Sequence, residues 1–147
     1  MIPEETQLLK LIELTKGDRG LAEERQEDLL HLGVAILAAF TFVPLNCSPR
    51  SAAQKYKVSK YLATKLLDHA NMRFTENWLT FLKHTTSCIN VLKAVYSLCL
   101  ASQPFCLNLA KNQIAMNAIY DILSDKVNIF LFHYFIQNFF LVNFIKD

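Results

Sequence analysis

Glycine is nearly missing from this chain: Gly17, Gly20 and Gly33 are the only three in 147 residues, about 2% where about 7% is usual. A phosphate-cradling loop needs clustered glycines that let backbone N–H groups approach the ligand, and no such cluster occurs, so a glycine-loop nucleotide-binding fold is not expected. Charge is scarce too, at 19% of residues against 52% hydrophobic; soluble chains average about 25% charged. Of the four cysteines, Cys47, Cys88, Cys99 and Cys106, no two form a C-x-x-C pair and none has a histidine at ligand spacing. No metal site is therefore expected, and free thiols in a reducing cytoplasm or nucleus are. The opening "MIPEETQLLK" is acidic and has no basic start followed by an apolar core, so no secretory signal is read there.

What is present favours helices. A chain of this length suits one domain, burying roughly two-thirds of its unfolded surface. Leu, Ala, Lys and Glu are plentiful before residue 126, a helix-forming composition. Residues 4–16 place Leu8, Leu11 and Ile12 at helical spacing behind first-turn glutamates. The stretch 21–43 resumes with "AEERQED" and becomes apolar around most of its circumference, as expected of a helix running into a core. "PLNCSPRS" is read as a loop, with Ser51 as N-cap of the next helix. That helix, 51–72, is expected to bury Ala52, Tyr56, Ala63, Leu66, Leu67 and Ala70.

Thr75 is expected to cap a further helix, and the Thr85–Thr86–Ser87 run to restart one. In "CINVLKAVYSLCLAS", Cys88, Val91, Leu92, Val95, Leu98 and Cys99 make a stripe. Ile89, Tyr96 and Leu100 widen it to an arc of roughly 200°, leaving Asn90, Lys93, Ser97 and two alanines for water; such a helix is packed on two sides. Pro104 punctuates, and in "QIAMNAIYDILSDK" Ile114, Ala115, Ala118, Ile119, Ile122 and Leu123 fall on one face.

Residues 91–124, "VLKAVYSLCLASQPFCLNLAKNQIAMNAIYDILS", resemble an armadillo-type repeat junction. Ala94, Leu98 and Ala101 fit the family's first helix, "SQPFCLNLAKNQ" its turn and middle helix, and "AIYDILSD" the closing helix. The glycine usual in that family is replaced by Ile114 or Ala115, and the pattern appears once, whereas a solenoid needs about three units. The resemblance implies an all-α fold of stacked armadillo- or HEAT-like helices, a partial α-solenoid, that binds other proteins and needs no cofactor.

Charge is unevenly placed. Residues 1–28 hold eight acids and four bases, and 48–93 hold eight bases and two acids. In "RSAAQKYKVSKYLATK", Lys57, Lys60, Tyr61 and Lys65 form a base–aromatic–base patch opposite the expected buried stripe, with Asp68 blunting it. A solvated helix face is the plain interpretation, and an acidic protein surface or a phosphate backbone is the functional one. His31, His69, His84 and His133 have no nucleophile or carboxylate at a spacing that forces a catalytic pair, so no enzyme is expected.

The last 21 residues, "VNIFLFHYFIQNFFLVNFIKD", differ in kind and carry Phe130, Phe132, Phe135, Phe139, Phe140 and Phe144. As a helix 127–145 would reach about 28 Å, close to the ~30 Å of a bilayer core. Asn128, His133, Gln137, Asn138 and Asn143 offset much of the gain from insertion. The tail has no Ala, Gly, Pro, Ser, Thr, Arg or Glu, a residue set written by A/T-rich codons. The expectation is a helical repeat-like domain over 1–126 followed by an aberrant end over 127–147. The chain is then an alternatively spliced, truncated piece of a larger scaffold or adaptor with protein partners. The alternative is a tail-anchored membrane protein with a helical cytosolic domain. An unbroken exon running well past the codons for Asp125 to Asn128 would sink the truncation idea.

Overall fold

The computed structural model describes residues 4–15, 23–81 and 85–125. Among them every regular element is an α-helix: α1 (Glu5–Leu14), α2 (Glu23–Thr41), α3 (Pro49–Leu66), α4 (His69–Phe81), α5 (Thr85–Ala101), α6 (Gln103–Lys111) and α7 (Gln113–Asp125). The tail expectations, including the six phenylalanines, and the restart after Lys83 and His84 up to Thr85 lie wholly or partly outside the described residues.

Local chemistry explains most boundaries. Glu4 and Gln7 form a reciprocal capping box at the start of α1, each satisfying a backbone N–H of the first turn. Ser48, not Ser51, caps α3: its hydroxyl accepts from the Ser51 backbone N–H at 3.2 Å, and Pro49 follows at the first helical position. Proline is favoured there because its φ is already helical and its missing N–H would have had no partner, so the second proline of the loop opens the helix. The motif recurs at α6, where Ser102 accepts from Phe105 N–H at 3.2 Å with Pro104 in the first turn.

The segment expected as one helix over 51–72 is two. α3 stops at Leu66, Leu67 and Asp68 turn the chain, and α4 starts at His69, with aspartate in the preceding position that favours helix entry. Thr75 therefore lies inside α4 and is fully buried, and among the described residues neither its hydroxyl nor the indole N–H of buried Trp78 has a hydrogen-bond partner. The buried face of α3 is Val58, Ser59, Leu62, Ala63 and Leu66. The expected Ala63 and Leu66 belong to it, but Tyr56 is half exposed and Ala52 and Leu67 are only partly buried, while the side chain of Ala70 lies outside the described residues.

α5 is the central element and packs on α2, α3, α4 and α6. Cys88, Val91, Leu92, Val95, Leu98 and Cys99 are all buried, but so are Ala94, Ala101 and Ser97, which were expected at the surface. The small alanines let neighbouring helices approach α5 closely, and Ser97 tolerates burial because its hydroxyl donates to Lys93 O at 2.7 Å. On α7 the face Ala115, Ile119, Ile122 and Leu123 is buried, whereas Ile114 is exposed.

α2 packs chiefly on α5, α3 on α5 and then on α2 and α4, and α4 on α7, while α3 only brushes α6. α1 covers α2, adding Leu8, Leu11 and Ile12 to the core that runs through Leu30, Val34, Leu37, Leu62, Trp78, Val95, Leu98, Phe105 and Ile119.

Candidate interaction surface

The turn after α2 leads into α3 beside the C-terminal half of α5, and these three segments enclose a small pocket of about 70 Å³. Thr41, Phe42 and Val43 form one wall, Tyr56 and Ser59 of α3 the second, and Tyr96, Ser97 and Leu100 of α5 the third. The spacing explains the lining: Tyr56 and Ser59, and Tyr96 and Leu100, are neighbours three and four apart on their helices.

Although three of these residues carry aliphatic hydroxyls, each hydroxyl turns to backbone. Thr41 Oγ1 donates to Leu37 O at 2.6 Å, Ser97 Oγ to Lys93 O at 2.7 Å, and Ser59 Oγ makes a longer bond of 3.4 Å to Thr41 O. With those donors committed, the pocket is chemically apolar. Its rim is apolar as well, for Tyr56 is 50% exposed, Val43 44%, Leu100 38%, and Leu45 in the adjacent loop is fully exposed. Large hydrophobics gathered at one place on a surface signal interaction more than scattered ones do.

Two lysines lie against the Phe42 wall of the pocket. Lys55 Nζ donates to Ala39 O at 2.9 Å and Phe42 O at 3.0 Å, answering the negative C-terminal end of α2. Lys93 Nζ lies 5.2 Å from the Phe42 ring centroid, fixing the ring that walls the pocket. Lys60 follows Tyr56 by four residues on α3 and is exposed. Of the residues expected as a patch, Lys57, Lys60 and Lys65 are exposed on α3, and Lys65 Nζ sits 5.6 Å from the ring of half-buried Tyr61. α3 contributes Arg50, Lys55, Lys57, Lys60 and Lys65 and no acid, and the chain has no Asp or Glu anywhere in 29–67 or 77–120.

Tertiary packing also makes a contact that spacing could not disclose. His31 Nδ1 of α2 hydrogen-bonds Ser87 Oγ of α5 across 56 positions of sequence. Ser87 is fully buried, so the pair ties two helices together and offers no hydroxyl to a substrate. The side chain of His69 and the whole of His84 and His133 fall outside the described residues. Cys88, Cys99 and Cys106 are buried and Cys47 is half-buried. Burial, and then a hydrogen bond with the Cys106 thiol, push the Cys99 thiol well above its ordinary range, which makes it a poor nucleophile. Among the described residues no group of three or more His, Cys, Asp or Glu side chains could hold a metal ion. No helix there is long and apolar enough to cross a membrane.

Over 106 residues the chain is 26% identical to serine/threonine-protein kinase 36 of Pongo abelii, a stretch that covers 72% of this chain and 8% of that protein. The chain thus spans a small fraction of the length of that relative. No protein-family model and no solved structure matches the chain.

Proposed function

We propose that this chain is a non-enzymatic protein-interaction module of armadillo-like stacked helices, part of a larger scaffold or adaptor acting in the cytoplasm or nucleus. The observation that carries the proposal is the apolar pocket between α2, α3 and α5, with exposed large hydrophobics at its rim. The stacking order supports the armadillo-like element of the reading. Consecutive helices pack on one another along α2–α3–α4 and α5–α6–α7, and α5 joins the two runs through α2, α3 and α4, which is compatible with stacked helical units. The kinase resemblance supports a module within a longer protein, since it spans only 8% of that relative. It does not bring kinase chemistry with it. The chain has no D-F-G and no H-R-D triplet, and its three glycines make no G-x-G-x-x-G loop, which supports the non-enzymatic reading.

The test is affinity capture on the immobilised full chain, paired with an assay of phosphoryl transfer from ATP and carbonate extraction of the expressed protein. Saturable capture of protein partners without phosphoryl transfer is the expected result. Phosphoryl transfer above background, or membrane retention that survives carbonate and depends on residues 127–147, would replace the proposal with an enzyme or a tail-anchored protein.

A further inference from the structure

We infer that the pocket between α2, α3 and α5 docks a short acidic segment of a partner protein, which inserts one aliphatic or aromatic side chain and places its carboxylates against Lys60 and Lys93. The inference rests on the interaction-module reading and specifies its site. Three observations select this occupant. The first is the lining: Phe42, Val43, Tyr56, Tyr96 and Leu100 supply apolar walls, and the hydroxyls of Thr41 and Ser97 donate inward to Leu37 O and Lys93 O. Such a pocket rewards a hydrocarbon side chain and has few donors left to read a sugar or a base edge.

Charge is the second. α3 has five bases and no acid, α5 contributes Lys93 and no acid, and the carboxylates nearest in sequence to the lining are Asp68, beyond the far end of α3, and Asp28, in the first half of α2. Carboxylates on the occupant are therefore met by lysines of α3 and α5, with no acid in the pocket lining, which favours encounter and register. The third is the fixed geometry. Lys55 and Lys93 hold Phe42 by its carbonyl and its ring, so the wall is set before binding and little ordering cost falls on complex formation.

Two other occupants fit less well. The Phe-rich segment 127–147 has Lys146 and Asp147 as its only charged residues and offers these lysines almost nothing. The acidic segment 1–28 of a second copy has the right sign, but Leu8, Leu11 and Ile12 of its helix α1 are already buried against α2.

The probe is a short fluorescein-labelled peptide of glutamates around a central Leu-Trp-Leu, titrated into the full chain by anisotropy at physiological salt. A peptide with lysines for the glutamates and an oligouridylate serve as comparisons. Binding of the acidic peptide alone is expected, weakened roughly tenfold by Tyr56→Ser and by Lys60→Glu and unchanged by Lys111→Glu at the far end of α6. Equal affinity for the two peptides, displacement by oligouridylate at comparable concentration, or binding that both pocket variants leave intact would overturn the inference. So would self-association of the chain, seen by light scattering, that Tyr56→Ser abolishes. Should either variant lose its helical circular dichroism, the wild-type chain still decides. A photo-crosslinking group at the peptide's tryptophan must label residues 41–59 or 93–100, and labelling elsewhere refutes the site. Partners captured equally well by wild-type and Tyr56→Ser chains would leave the interaction module standing and remove this pocket from it.

Discussion

Gly33 lies in the middle of α2, where glycine costs roughly 1 kcal/mol relative to alanine, and the reason is its neighbour. A Cβ at Gly33 would collide with Cγ2 of Thr15 at the end of α1. Thr15 is fully buried and its hydroxyl is tied to Ile12 O at 2.7 Å, so the methyl has little room to yield. Overpacking of this kind costs about 1–3 kcal/mol, enough to outweigh the gain in helix propensity. Gly33→Ala is therefore expected to lower the urea midpoint, and in a Thr15→Ser background, which removes the methyl, the same substitution becomes neutral or stabilising. Equal effects of Gly33→Ala in both backgrounds would show that the two residues are not coupled. The raised Cys99 thiol makes a second residue-scale prediction. Its folded state holds the proton at pH values where an unfolded thiol, with an ordinary value of about 8.5, has released it. Between those two points the unfolded chain binds fewer protons, so stability is fully present below the ordinary thiol range and declines as pH rises through it. Urea titrations across the alkaline range should show a steeper decline for the wild type than for Cys99→Ala, and parallel curves would contradict the assignment.

At the scale of elements, Asn112 joins α6, α7 and α4. Its Oδ1 accepts from Ala115 N–H at 3.1 Å at the start of α7, and its Nδ2 donates to Glu76 of α4 at 2.6 Å. Loss of both bonds in Asn112→Ala is expected to cost about 1–3 kcal/mol in urea unfolding, whereas Gln113→Ala, whose side chain reaches only Asn117 on the exposed face, should stay within about 0.5 kcal/mol. Comparable losses for the two would deny Asn112 its joining role. This residue also shows what a sequence can and cannot disclose about elements. Helices α1, α2, α5 and α7 are legible because their apolar positions repeat at helical spacing over several turns. The break at Leu67 and Asp68 is not, because Leu66 and Leu67 continue the apolar pattern and only an aspartate marks the turn. The cap of α3 is ambiguous for a similar reason: Ser48 and Ser51 both stand close to Pro49, and only the rule that proline prefers the first helical position selects Ser48. The pocket was half legible. The basic residues of α3 stand out in sequence, but the buried face of that helix was expected to include Tyr56, so the side chain that forms the pocket rim was assigned to the core.

The whole molecule depends on contacts distant in sequence. α5 reaches four other helices, the His31–Ser87 bond closes across 56 positions, and α4 meets α7. No local pattern announces such pairings, which is why the helical class could be read from composition and the order of stacking could not. The same connectivity predicts how the molecule comes apart. Trp78, the single tryptophan of the chain, is fully buried on α4, while Val34 is fully buried on α2, which packs chiefly on α5. Because the described helices share one core through α5, they should unfold as one cooperative body, and tryptophan fluorescence and far-ultraviolet circular dichroism trace the same urea transition. Truncating Val34 to alanine removes two methyl groups from that core and should destabilise by about 1–3 kcal/mol. Both probes should then move together to the same lower midpoint. A Val34→Ala variant whose circular dichroism shifts while the Trp78 transition stays in place would mean that α4 and α7 fold independently of α2, as weakly coupled repeats do.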